Sequence, residues 1–253
     1  MKIIIKGLAI NYSDLGPAKT KTVLLLHGWG SNLHTFDNLA EKLKNDFRVV
    51  VLDFAGFGES ELPREIWGVG EYANLVKSFL NKINIKPDFI IAHSFGGRVA
   101  IKLVGLGLCV PEKLVLIGAA GPKIELVGKQ KIFSVLAKTF SWVLRLPIIN
   151  RFRNKVRHKI YNHIGSTDYI SAGPLQKIFI KVVNEDLTDL ARNINRPTML
   201  IWGDKDQDSP LATGKILNQL IKGSQLEVIP ETGHFVHEEQ AEVVGEIVTK
   251  FLK

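Results

Sequence analysis

Six short apolar runs punctuate this chain, near residues 22–27, 47–52, 88–93, 113–118, 198–203 and 225–229, and helical periodicity appears near 33–44, 71–84, 95–107, 210–221 and 236–252. A strand that is followed by a helix returns to its sheet in parallel, and a parallel sheet needs helices on both faces to shield its apolar side chains. The alternation predicts an α/β fold built on a mostly parallel sheet of buried strands. An opening hairpin over residues 2–13 brings the expected sheet to eight strands. In such a sheet, ligands bind beyond the carboxyl ends of the strands, so the loops there are where chemistry is to be sought. A chain of 253 residues can bury one substantial core, as a single large domain or a domain with an insertion.

One of those loops stands out. The apolar strand Phe89 to Ala92 runs into His93-Ser94-Phe95-Gly96-Gly97, and a helical pattern begins at Phe95. Small residues around the serine permit a sharp strand-to-helix turn, which pushes the hydroxyl out at the sheet edge. The usual spelling is Gly-x-Ser-x-Gly, and here Ala92 stands at the first glycine. A serine hydroxyl needs a base to take its proton, and the base needs an acid to fix its tautomer. Downstream, the strand Thr198 to Gly203 is followed by Asp204-Lys205-Asp206-Gln207-Asp208, and the strand Gln225 to Ile229 by Pro230-Glu231-Thr232-Gly233-His234. Serine, acid and histidine thus fall on loops after three separate strands, in the order such hydrolases use.

These residues give the chain a clear likeness. With His27-Gly28-Trp29-Gly30 and Asp53-Phe54-Ala55-Gly56-Phe57-Gly58-Glu59-Ser60, it resembles the α/β-hydrolase-fold enzymes of the esterase and C–C hydrolase type. The resemblance implies a catalytic triad of Ser94, Asp206 and His234. Among the three aspartates after residue 203, the family pattern Gly-x-x-Asp selects Asp206 and leaves Asp204 and Asp208 as solvated or capping carboxylates. It also implies an oxyanion hole made by the main-chain N–H groups of Phe95 and Trp29, with the Trp29 ring walling the acyl pocket. His27 is expected to shape the oxyanion loop, and Asp53 to organise loops near it. His93 should point away from Ser94, because neighbours on a strand face opposite sides. His237 is expected to be exposed or capping.

The serine at the elbow sets the chain apart from relatives that open epoxides or displace halide with an aspartate there. No metal is implied: His234-x-x-His237-Glu238 lacks the order that puts two imidazoles and a base on one helical face. Neither a Gly-x-Gly-x-x-Gly turn nor a phosphate loop occurs, so no cofactor is implied. The lone cysteine, Cys109, has no intrachain partner and fits a reducing compartment. No secretory leader pattern and no run of about 18 uncharged apolar residues is found, so the expectation is a cytoplasmic protein.

Charge is concentrated in one place. Between Pro122 and Ile160 ten Lys or Arg stand against the single acid Glu125, a net of +9 beside +8 for the whole chain. The expected organisation is a core of residues 1–120 and 191–253, with 121–190 as a helical cap inserted between strands six and seven. Lys131, Ser134, Lys138, Ser141 and Arg145 form a narrow polar stripe on an otherwise apolar helix. Such a face packs onto the cap and pocket mouth, or it forms a lid that meets lipid or an acyl chain, with Arg151 to Lys159 steering it to anionic surfaces. Phe133, Phe140 and Trp142 are candidates for the substrate wall. Nucleic-acid binding is not expected, because no recognition helix or aromatic-bearing sheet accompanies the charge. The expected partner is a small-molecule ester; C–C hydrolysis, lactone opening and non-catalytic ligand binding are the alternatives.

Overall fold

The computed structural model describes residues 1–18, 20–122 and 172–253. Eight strands form one sheet: β1 (Lys2–Ile5), β2 (Leu8–Leu15), β3 (Thr22–Leu26), β4 (Arg48–Leu52), β5 (Phe89–His93), β6 (Lys113–Ile117), β7 (Thr198–Gly203) and β8 (Gln225–Ile229). Their order is β1-β2-β4-β3-β5-β6-β7-β8. The β1–β2 and β2–β4 pairs are antiparallel and all later pairs are parallel, as the alternation of strands and helices requires.

Period-two alternation sorts the strand side chains onto two faces. Leu24, Leu26, Val50, Leu52, Ile90, Ala92, Leu114 and Leu116 join one buried cluster, which also takes in α2 (Val69–Lys82) and α3 (Phe95–Gly105). The intervening Val23, Leu25, Val49, Val51, Ile91 and Val115 belong to the other, with α1 (Asp37–Leu43) and α8 (Ala241–Leu252). The remaining helices are α4 (Gln176–Asn184), α5 (Thr188–Arg192), α6 (Leu211–Leu220) and α7 (Val236–Glu239).

Three expectations change in detail. The helical pattern over 33–44 divides into a 3-10 turn, Leu33–Phe36, followed by α1. The pattern over 236–252 breaks at Gln240 (φ −130°, ψ 52°), which separates α7 from α8. Strand β8 is not buried: Gln225, Glu227 and Val228 are exposed, because it is the last strand of the sheet and pairs on one side only. Among the described residues, no helix is long and apolar enough to cross a membrane.

What positions the central loop is the fit of α3 against β3. A Cβ on Gly96 would overlap the main-chain carbonyl oxygens of Leu26 and His27. Only a residue without a side chain lets the helix lie that close to the strand end. Gly96→Ala is expected to force α3 outward and to destabilise the protein by about 1–3 kcal/mol. Urea unfolding at neutral pH would read this as a lower midpoint at unchanged slope.

Candidate active site

The carboxyl ends of β3 to β8 gather their loops at one edge of the sheet. Ser94 follows β5 directly, with φ 50° and ψ −111°, in a region L-residues seldom adopt. Its N–H donates to the Ile117 carbonyl (3.0 Å), so the turn stays tied to β6 while the chain reverses into α3. Phe95 opens α3, and main-chain N–H groups in a first helical turn have no acceptor within the helix.

After β7 and β8 come the other two residues. His234 Nδ1 lies 2.8 Å from Asp206 Oδ2. The Asp206 side chain is wholly buried and the His234 side chain only 10% exposed. Asp206 Oδ1 accepts from the Asp208 N–H (3.0 Å) and the Ser209 N–H (2.8 Å). Three hydrogen bonds hold this buried carboxylate, whereas Asp204 and Asp208 are exposed. Gly118, at φ 50° just beyond β6, lies beneath the pair: a Cβ there would stand 3.2 Å from Asp206 Oδ2 and 3.3 Å from His234 Nδ1. In the sequence alone Gly118 does not stand out. Its signal, a glycine directly after a strand, is shared with many ordinary turns.

The loop after β3 borders the elbow. A Cβ on Gly28 would lie 3.4 Å from Ser94 Cβ. Trp29 is buried, with ring centroids of Phe57, Phe95 and Phe179 at 4.9, 5.4 and 5.1 Å. His27 Nδ1–H donates to the Gly28 carbonyl (2.7 Å) and Nε2 accepts from the Phe54 N–H (3.0 Å), so the ring joins the loops after β3 and β4. Asp53 is a structural hub. Its carboxylate accepts from Asn11 Nδ2 (2.8 Å), the Leu33 N–H (2.7 Å) and the Glu59 N–H (2.9 Å). Both residues thus shape the loops beside the elbow.

Comparison with known proteins agrees with this fold. A sequence profile of the alpha/beta hydrolase family matches residues 23–247. The chain belongs to the alpha/beta hydrolase family. An uncharacterized hydrolase of Bacillus subtilis is 26% identical, over 100% of this chain and 97% of that protein. A 2-hydroxy-6-oxononadienedioate/2-hydroxy-6-oxononatrienedioate hydrolase of Pseudomonas putida is 29% identical, over 97% of this chain and 92% of its own. Among solved structures, a bacterial membrane phospholipase A superposes with a TM-score of 0.77 at 23% identity, covering 100% of this chain and 84% of that one, a likeness of fold.

Not every contact around this edge was foreseen. Phe179, on α4, packs on Trp29, and Leu175 lies against Gly56. These residues fell in the stretch where the sequence offered no recognisable pattern. Arg98 is buried one turn into α3 and donates to the Glu185 carbonyl, while Lys102 pairs with the Glu185 carboxylate. Phe133, Phe140 and Trp142 lie outside the described residues. His237, expected at the surface, is only 2% exposed, because α7 turns it in against Phe36 and His93.

Buried imidazoles make the fold acid-sensitive. Burial pushes His27 down to about 4 and His237 to about 3, and holds His93 well below the usual histidine value. Below pH 6.5 the unfolded chain binds protons at these positions that the native state refuses. Their contribution to stability is therefore complete above pH 6.5 and is lost as pH falls towards the folded values. Between pH 7 and pH 5 the loss should be about 2 kcal/mol for each of His27 and His237. Urea midpoints at the two pH values, compared with a His237→Phe variant that has a shallower acid slope, would check it.

Proposed function

We propose that the protein is a serine hydrolase of small to medium carboxylic esters, acting through Ser94, His234 and Asp206. One observation carries the reading. A half-buried imidazole is held by a fully bonded, buried carboxylate at 2.8 Å, on the same sheet edge as a serine at positive φ. An aspartate on Nδ1 fixes the tautomer whose Nε2 is free to accept a proton.

In the proposed course, His234 Nε2 takes the Ser94 proton as Oγ attacks the ester carbonyl. The negative charge that develops on oxygen falls to the main-chain N–H groups of Phe95 and Trp29, each supplying about 3 kcal/mol by comparison with donors of this kind. The imidazolium, stabilised by Asp206, then protonates the departing alkoxide. Water, deprotonated by the same imidazole, attacks the acyl-serine and releases the acid. No step asks for a metal or cofactor. The insertion between β6 and β7 is assigned as the cap that selects the substrate, with the Lys and Arg residues of its sequence available to anionic lipid surfaces.

A second reading, hydrolysis of a carbon–carbon bond next to a carbonyl, is favoured by the 29% identity to the Pseudomonas putida hydrolase. It uses the same three residues, so a substrate panel must separate the two. Graded p-nitrophenyl esters should be turned over faster than vinylogous diketones or lactones. A fluorophosphonate probe should label the intact protein and leave Ser94→Ala untouched, and Asp206→Asn should lower kcat by about 10⁴-fold. An intact protein that neither labels nor cleaves any member of the panel would establish a non-catalytic binding role instead.

A further inference from the structure

Behind the imidazole of His234 stand two more in one buried file. The His93 ring centroid lies 4.7 Å from that of His234 and 4.4 Å from that of His237, and Phe36 closes the far end at 5.0 Å from His237. The proposed reaction uses only the first of these rings. His93, adjacent to Ser94 in sequence and the last residue of β5, is completely buried.

The bonds of His93 are one-sided. Its Nε2 lies 3.0 Å from the main-chain oxygen of His234. A carbonyl can only accept, so Nε2 carries the proton and Nδ1 is bare. Among the described residues Nδ1 has no hydrogen-bond partner, and it sits against Gly28, where a Cβ would come within 2.8 Å of it. An unpartnered buried nitrogen lowers stability, so an apolar side chain would serve better if packing were all that mattered. The nitrogen that does bond reaches the residue that carries the base.

We propose that His93 is a positioning residue for His234: its Nε2–H holds the carbonyl of residue 234 and so fixes the main chain from which the imidazole is presented to Asp206 and Ser94. The proposal rests on the serine-hydrolase reading. The file has a second consequence. Among the described residues neither nitrogen of His237 has a hydrogen-bond partner, and the Glu238 carboxylate stands 3.9 Å from Nε2. Burial keeps His93 and His237 uncharged. The imidazolium formed at His234 therefore meets a neutral stack on one side and Asp206 on the other.

Three variants separate a donor from a filler. Glutamine carries its amide nitrogen about as far from the main chain as Nε2; asparagine stops where Nδ1 stands; leucine only fills space. His93→Leu and His93→Asn should each lose about 10²-fold in kcat at nearly unchanged KM, and His93→Gln should recover most of it. Equal activity of the Gln and Asn variants would overturn the proposal. So would Ser94 labelling by the fluorophosphonate probe at the intact rate in both His93→Leu and His93→Asn. Failure of the probe to label the intact protein would instead refute the serine-hydrolase reading. Should the variants not fold, ¹⁵N spectra of the intact protein decide: His93 protonated on Nε2 alone at pH 7.5 supports the proposal, and a proton on Nδ1 overturns it.

Discussion

The approach of helix α3 to the end of strand β3 is the constraint on which the rest of the active-site edge depends. Gly96 lies against the Leu26 carbonyl, and the chain can make that approach only by passing Ser94 through positive φ. A non-glycine residue in that region costs about 1–3 kcal/mol. On the other side of the balance are Phe95, Val99, Ala100, Ile101 and Leu103, all at most 3% exposed. At roughly 1.5–3 kcal/mol for each large apolar side chain buried, α3 outweighs the strain of the turn several-fold. The strained serine is held in place by a helix that its side chain does not cap.

Around that turn, two buried aspartates illustrate how surroundings assign a role. Asp53 is bonded to an asparagine amide and two main-chain N–H groups, and it ties the loops after β3 and β4 to β2. Asp206 is equally well bonded, but one of its oxygens faces an imidazole. The first carboxylate is fully committed to architecture. The second divides its bonds between its own loop and the His234 ring, as the triad role proposed for it requires.

The returning end of the insertion is tied to this edge. The Leu187 N–H donates to the Gly121 carbonyl (3.1 Å), so the chain leaves and re-enters the core at neighbouring points. Glu185, two residues earlier, binds Arg98 and Lys102 on α3 and also accepts from the Val69 N–H (3.2 Å) at the start of α2. Phe179 on Trp29 places α4 against the loop after β3. Relatives that share the fold differ in what they cleave, since substrate choice lives in parts grafted on the sheet.

Much of this was legible in the order of residues along the chain. Apolar runs alternating with helical patterns determined a parallel sheet, because no other arrangement buries such strands on both sides. Small residues around Ser94, and an acid and a histidine after later strands, marked the loops where chemistry belongs. Periodicity could not say that β8 would be an edge, that Gln240 would break the last helix, or that His237 would turn inward. Those outcomes depend on which neighbours an element meets, and neighbours far apart in sequence leave no local trace. The meeting of His234 with Asp206, the support of Gly118 beneath them and the hydrogen bond from His93 to the chain at residue 234 were decided by tertiary structure alone, because each joins strands whose separation is set only once the sheet has closed around its two cores.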